Sequence, residues 1–126
     1  MTRLDHYAPR FIVGHSLSGV SFVGEVDVDR EDGDLDSNAD DFVVVRWPLR
    51  IIETADPRDS RKVHVNLQPL YLSVPTPEWK VRLASYRLIE ETGPAAALVN
   101  GYREMNKNET ARAAGLYGPG ALTGKV

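Results

Sequence analysis

Short segments in which apolar and polar residues alternate follow one another along most of the chain. In the clearest of them, an apolar residue or glycine occupies every second position from Val20 to Val28. This two-residue period predicts an antiparallel strand with one buried face. Gly24 lies inside that strand, where it indicates a bend or the close approach of another backbone. A chain built from such segments is expected to fold as a mainly β protein.

Later segments predict further strands. Phe42–Trp47 is almost wholly apolar and is expected to form a central strand that ends at Pro48, because proline cannot donate to a ladder. The next two segments, Leu49–Thr54 and Arg61–Leu67, flank a turn with Asp-Pro chemistry and are predicted to form a hairpin. In the second of them, alternation predicts that three side chains point inward: Val63, Val65 and Leu67.

One helix is predicted, over residues 93–107. Pro94 suits a first helical turn, and the residues that follow favour helix. Its apolar stripe is expected to consist of Leu98, Tyr102 and Met105. Residues 1–9 lack periodicity and are predicted to be an N-terminal arm, residues 10–107 a single domain, and the glycine-rich residues 108–126 an extended tail.

Length and strand spacing together favour a small architecture. A chain of 126 residues and 14.0 kDa is enough for one domain with a core. Five or six closely spaced strands and one late helix predict a small, strongly bent antiparallel β-barrel with a C-terminal helix and extended terminal arms.

Charge is distributed unevenly along the chain. Residues 1–41 contain three basic and ten acidic residues, whereas residues 42–126 contain twelve basic and eight acidic ones. Nine of the acids fall between Glu25 and Asp41, and such a run repels a phosphate backbone. We interpret it as a solvated loop; weak cation binding is the alternative, although the spacing does not match a calcium-binding loop.

The sequence predicts a protein without catalytic, metal or cofactor chemistry. Cysteine is absent, which excludes disulfides and thiolate chemistry. Gly14–Gly19 resembles the nucleophile turn of serine hydrolases, but a strand rather than a helix is predicted after Ser16, so a tight turn is the better interpretation. The three histidines, His6, His15 and His64, share no metal-ligand spacing. No leader peptide or membrane span is predicted.

Three segments resemble a known family. They are Gly19–Val26, the sequence Trp47-Pro48-Leu49-Arg50-Ile51, and Ile89–Pro94 leading to Tyr102. Their order and spacing are similar to those of the Sm-like small β-barrel proteins of bacteriophages, distant relatives of the Sm and Hfq rings. The family's RNA-binding turn is replaced here by Leu35-Asp36-Ser37-Asn38, and its late Arg-Gly pair has no counterpart.

The resemblance implies a non-enzymatic phage virion structural or assembly protein, in the head, connector, tail or decoration layer. Such a protein is expected in the virion or the host cytoplasm, forming a homo-oligomer, with a ring as one possibility, through sheet edges at Arg10–Val13 and Arg61–Leu67. Other virion proteins would bind its terminal arms. The predicted interface residues are Phe11, Val13, Val63, Val65, Leu116, Tyr117, Leu122 and Val126. The alternative is an Sm-like ring that binds single-stranded RNA through Trp47, Arg50, Trp79 and Arg82.

Overall fold

The computed structural model of the protein describes residues 6–37, 41–71 and 74–117. Within these ranges, six strands precede one helix, and the strands form one antiparallel sheet. This confirms the prediction of a mainly β fold with a C-terminal helix. The elements are β1 (Tyr7–Ser16), β2 (Ser21–Asp29), β3 (Val43–Ala55), β4 (Val63–Pro69), β5 (Glu78–Val81), β6 (Leu83–Ile89) and α1 (Ala96–Tyr117).

The sheet has the strand order β4-β3-β2-β1-β6, and β5 pairs with the first part of β3. It is not closed. In the described part of the chain, β4 pairs with β3 alone and is an edge strand, as predicted. The expectation that Arg10–Val13 forms an edge is wrong, because β1 pairs with β2 on one side and with β6 on the other.

β3 runs through Pro48 instead of ending there, so the prediction of two strands separated at this proline is wrong. The neighbour of β3 changes at this point, from β5 at residues 43–46 to β4 at residues 49–55. Pro48 has no N–H to donate. Because it lies where one neighbour ends and the next begins, the strand continues without losing a ladder hydrogen bond there.

A bulge accompanies this change of neighbour. Trp47 has a φ of 47°, which is rare for a residue other than glycine. The register of β2 against β3 shifts between Val23 and Glu25. A shift of one residue exchanges the two faces of a strand. Val45 and Leu49, which strict alternation would place on one face, therefore pack on opposite sides of the sheet.

The sheet consequently has an apolar cluster on each face. The inner cluster consists of Ile12, Phe22, Val26, Val28, Val43, Val45 and Val81. This confirms the buried face predicted for the Val20–Val28 segment. The helix-side cluster consists of Val23, Leu49, Ile89, Val99 and Tyr102, with partly buried residues around them. The predicted stripe of α1 is also confirmed, since all three of its residues belong to the helix-side cluster: Leu98, Tyr102 and Met105.

β1 and α1 extend into the segments that the sequence predicts to be the N-terminal arm and the tail. Within the predicted N-terminal arm, Tyr7, Ala8 and Pro9 are part of β1, because β2 extends far enough to pair with them. The first five residues lie outside the described ranges.

At the other end, α1 continues to Tyr117, so residues 108–117 are helix rather than tail. Glu109 is buried, and it pairs with Arg112, which also donates to the carbonyl oxygen of Tyr71. These contacts tie the second half of α1 to the segment after β4.

Candidate interaction surface

The apolar face of β4 extends beyond the area that α1 covers. Leu67 packs in the helix-side cluster, but Val63 and Val65 retain exposures of 56% and 50%. The prediction that all three point into the core is therefore wrong for the two valines. On the same face lie their cross-strand partners in β3, which are Ala55, Glu53 and Ile51. The structure thus leaves one end of the sheet uncovered.

A cleft of about 460 Å³ opens between this uncovered end and the start of α1. One wall consists of Pro94, which precedes α1, and the helix residues Ala97, Leu98 and Gly101. The strands contribute Val13, Ile51, Glu53, Val65, Leu67 and Arg87. Glu53 and Arg87 are the two charged residues in this lining. A Cβ at Gly101 would lie 3.8 Å from Cδ1 of Leu67, which is an ordinary van der Waals contact. The cleft is mainly apolar, with one acid and one base.

The predicted interface residues of β1 have different surroundings. Val13 lines the cleft. Phe11 is covered by α1: its ring meets the ring of Tyr102 edge-on at 5.9 Å, and the guanidinium of Arg103 lies 5.2 Å above it. Phe11 therefore stabilises the packing of α1 on the sheet, and a role for it at an interface stays a prediction.

The predicted tail anchors fall into two groups. Leu116 and Tyr117 lie at the C-terminal end of α1. Leu122 and Val126 lie outside the described residues.

The structure does not bring the predicted RNA-binding residues to one surface. Trp47 packs in the helix-side cluster, whereas Trp79 packs in the inner cluster, where it meets Phe22 edge-on at 5.1 Å. The guanidinium of Arg82 lies 4.8 Å above the ring of Phe42. Nε of Arg50 is buried without a hydrogen-bond partner. Stacking of successive bases requires aromatic faces on a common exposed surface, and these two indoles lie on opposite sides of the sheet.

Ser16 stabilises a turn. Its hydroxyl accepts a hydrogen bond from the backbone N–H of Val20 at 2.9 Å and lies 2.8 Å from the hydroxyl of Ser18. Gly19 has a φ of 91°, which suits the same turn. The nearest histidine in sequence, His15, is bonded to Ser21. The contacts of Ser16 therefore match the tight turn predicted for this segment.

The acidic segment is a loop only in part: Glu25, Asp27 and Asp29 belong to β2, so the prediction of a loop is wrong for them, and the loop that follows is held by hydrogen bonds to Asp29. The carboxylate of Asp29 accepts hydrogen bonds from the N–H groups of Asp32 and Glu31 at 2.9 and 2.8 Å. These bonds hold the pKa of Asp29 below its usual value. Asp27 instead forms a bidentate ion pair with Arg46. In the described residues, no three acidic or histidine side chains are grouped as metal ligands would be.

Sequence reasoning missed most of the cleft. The hairpin prediction paired the Leu49–Thr54 segment, which contains Ile51 and Glu53, with the Arg61–Leu67 segment. Arg87 and Leu98 join them only through the strand order and the position at which α1 crosses the sheet. Neither is encoded in a local pattern.

No family model, no curated protein and no solved structure matches this chain. None of the helices in the described ranges has the length and apolar character needed to cross a membrane.

Proposed function

We propose that this protein is a non-enzymatic structural or assembly component of a bacteriophage virion. It associates with copies of itself through the β4 edge and the adjoining apolar face, and binds neighbouring virion proteins through its terminal segments. The assignment to a virion rests on the family resemblance of the three sequence segments. The proposal of self-association rests on the uncovered end of the sheet.

That uncovered end carries the proposal for two physical reasons. An edge strand presents unpaired N–H and C=O groups that can pair with another chain. Apolar surface lies exposed beside this edge, at Val63, at Val65 and in the cleft. Burying a half-exposed valine contributes about 1 kcal/mol. Backbone pairing and apolar burial at one place are what a protein interface needs.

The Sm-like barrel is part of the same proposal. β5 pairs with β3 and β6 pairs with β1, and Arg82 alone separates β5 from β6. If β5, Arg82 and β6 are taken as one long strand that bends at Arg82, this strand pairs with β3 at one end and with β1 at the other. The sheet then has the strongly bent barrel form that the resemblance implies.

Native mass spectrometry of the full-length, untagged protein, purified without nuclease treatment, tests the proposal. We expect masses that are multiples of 14.0 kDa with no added nucleotide. The same multiples with nucleotide mass would support the RNA-binding alternative. A monomer at every concentration would overturn self-association.

A charge placed in the apolar face should weaken assembly. Val65→Lys puts an ammonium group where we propose that apolar surface is buried, and we expect at least a roughly ten-fold weaker self-association in analytical ultracentrifugation. Asn66→Lys is the matched control, because it adds the same charge to the next, exposed position of β4 on the opposite face. Both variants should keep the wild-type melting temperature within a few degrees. Equal weakening by both would contradict a role for this face.

A further inference from the structure

We propose that Arg50 binds an oxyanion, the carboxylate or phosphate group of a ligand. This inference goes beyond the proposed self-association and does not depend on it. It follows from the way the fold pairs its other half-buried arginines, from the accessible end of the Arg50 guanidinium and from the lack of acids on the same face of β3 and β4.

The half-buried arginines of the described residues are paired with an acid, except for Arg50. The pairs are Arg10–Glu90, Arg46–Asp27 and Arg112–Glu109. Arg50 is half-buried like them, but within the described ranges it forms no ion pair and no side-chain hydrogen bond. Removing a guanidinium from water without a counter-charge is costly. Arg50 is therefore the position at which this fold lacks an anion.

The guanidinium of Arg50 is covered at one nitrogen and open at the other two. Its Nε is buried without a hydrogen-bond partner, and the same is true of Nε in Arg112, which donates through Nη2 to Glu109. The two terminal nitrogens of Arg50 are not among the buried atoms. A guanidinium presents parallel N–H donors that match the two oxygens of a carboxylate or phosphate group. An oxyanion can therefore reach Arg50 from solvent and form the missing pair.

No acid competes for Arg50 on its own face of these two strands. Arg50 lies on the inner face of β3, opposite Phe22 of β2 and Gln68 of β4. The other residues of this face are Ile52, Thr54, His64 and Asn66. Glu53 lies on the opposite face, at the cleft, and Asp56 in the following turn is bonded to His64.

Gln68 adds a second donor beside Arg50. Residues opposite one another in antiparallel strands share a face, and their Cβ atoms are about 5 Å apart. Gln68 is exposed, and in the described part of the chain its side-chain amide has no printed ion or hydrogen-bond partner to displace. Its N–H groups can therefore donate to an oxyanion that Arg50 holds.

NMR titration of the full-length, ¹⁵N-labelled protein tests the site. Sodium acetate and sodium phosphate are added separately at neutral pH, with sodium chloride used to keep the ionic strength constant. We expect a saturable shift of the Arg50 Nε–H signal with at least one of the two oxyanions and none with chloride. A response to acetate alone identifies a carboxylate site, and a response to phosphate alone identifies a phosphate site. No response to either would overturn the inference.

Variants show whether Arg50 itself is responsible. Arg50→Gln should weaken the binding, followed at the backbone amide of Gln68, by at least about ten-fold. Arg58→Gln is the matched control, because it removes the same charge from an exposed residue of the turn after β3. Arg50→Lys keeps the charge without the planar pair of donors and should bind more weakly than the wild type. Equal weakening by Arg50→Gln and Arg58→Gln would show attraction to the overall charge alone and contradict the assignment.

Thermal unfolding gives a second readout that also verifies folding of the variants. A ligand that binds the folded chain raises its melting temperature. The oxyanion should therefore raise the melting temperatures of the wild type and Arg58→Gln more than that of Arg50→Gln. General stabilisation by salts affects all three proteins alike. An equal rise in all three would mean that the oxyanion has no specific site at Arg50.

Discussion

Replacing Gly24 with valine is expected to lower the melting temperature by about 10 °C or more. Gly24 stands opposite the bulge of β3, since its neighbours Val23 and Glu25 pair with Leu49 and Arg46. A Cβ at this position would lie less than 3.0 Å from Cγ1 of Val45 and 3.2 Å from the carbonyl oxygen of Arg46. Overpacking of this kind costs about 3 kcal/mol, which is a large part of the stability of a small domain.

The closest clash identifies a variant that should relieve it. Val45 is fully buried in the inner cluster, so its side chain has little room to move. Gly24→Ala should be destabilising, and Val45→Ala should be destabilising because it leaves a cavity. In the double variant, the space left by the valine methyl groups accepts the new Cβ. The free energy of unfolding should therefore fall by less than the sum of the two single effects, measured by urea denaturation.

Gly115→Ala is the control for the loss of a glycine. A Cβ at that position of α1 meets nothing within 4 Å, so no destabilisation is expected. Strict additivity of Gly24→Ala and Val45→Ala would contradict the contact between them. A melting temperature of Gly24→Val equal to that of the wild type would show that β2 and β3 do not approach closely at this point.

The bulge also shows how far the sequence predicts this fold. Alternation from Val20 to Val28 was enough to predict β2 and its buried face, and Gly24 indicated a close approach of another backbone. Continuation of β3 through Pro48 was not predictable in this way, because a proline inside an apolar run normally ends a strand. It depends on β5 and β4 meeting on one side of β3, which is a property of the whole sheet.

The exposure of the β4 face likewise depends on the whole fold. Alternation in β4 predicts which side chains share a face, and this is correct for Val63, Val65 and Leu67. It does not predict how much of that face is covered. Coverage is decided by where α1 starts after Gly93, whose φ of 87° suits the turn that precedes the helix. Because α1 starts beside Leu67 and runs towards Tyr71, the two valines stay exposed.

Replacing Tyr102 with alanine is expected to destabilise the protein by about 3–5 kcal/mol, as for other large buried aromatic residues. Tyr102 is the largest fully buried side chain in the described residues, and its ring packs against Phe11. Its hydroxyl donates towards the carbonyl oxygens of Trp47 at 2.9 Å and Arg46 at 3.3 Å. These are carbonyls of the bulge, so Tyr102 connects α1 to the irregular part of β3.

The hydroxyl and the ring can be tested separately. Tyr102→Phe keeps the ring but leaves the buried carbonyls without this donor, at a cost of about 1–3 kcal/mol. Tyr86→Phe is the control, because Tyr86 is about half exposed and its hydroxyl is not among the bonds that hold the bulge. Urea denaturation of both variants should show a loss for Tyr102→Phe and little change for Tyr86→Phe. Equal stability of the two would contradict the importance of the Tyr102 hydrogen bonds.

Alkaline pH should reduce the difference in the free energy of unfolding between the wild type and Tyr102→Phe. Burial, with a further contribution from Glu25, raises the pKa of Tyr102 far above its usual value of 10.0 in the folded protein. Below pH 10 the phenol is protonated in both folded and unfolded chains, and its contribution to stability is complete. Above pH 10 the unfolded chain loses this proton while the folded chain keeps it, so the free energy of unfolding falls.

Between pH 9 and pH 11 this loss amounts to about 1.4 kcal/mol for the wild type, and Tyr102→Phe lacks it. The two proteins differ at this one side chain, so the comparison isolates the contribution of the phenol. Urea denaturation at the two pH values should therefore show that the stability advantage of the wild type shrinks at pH 11. A stability advantage of the wild type that stays constant would mean that the phenol ionises as readily in the folded protein as in the unfolded chain. The hydroxyl of Tyr102 would then be accessible to water, contrary to its burial under α1.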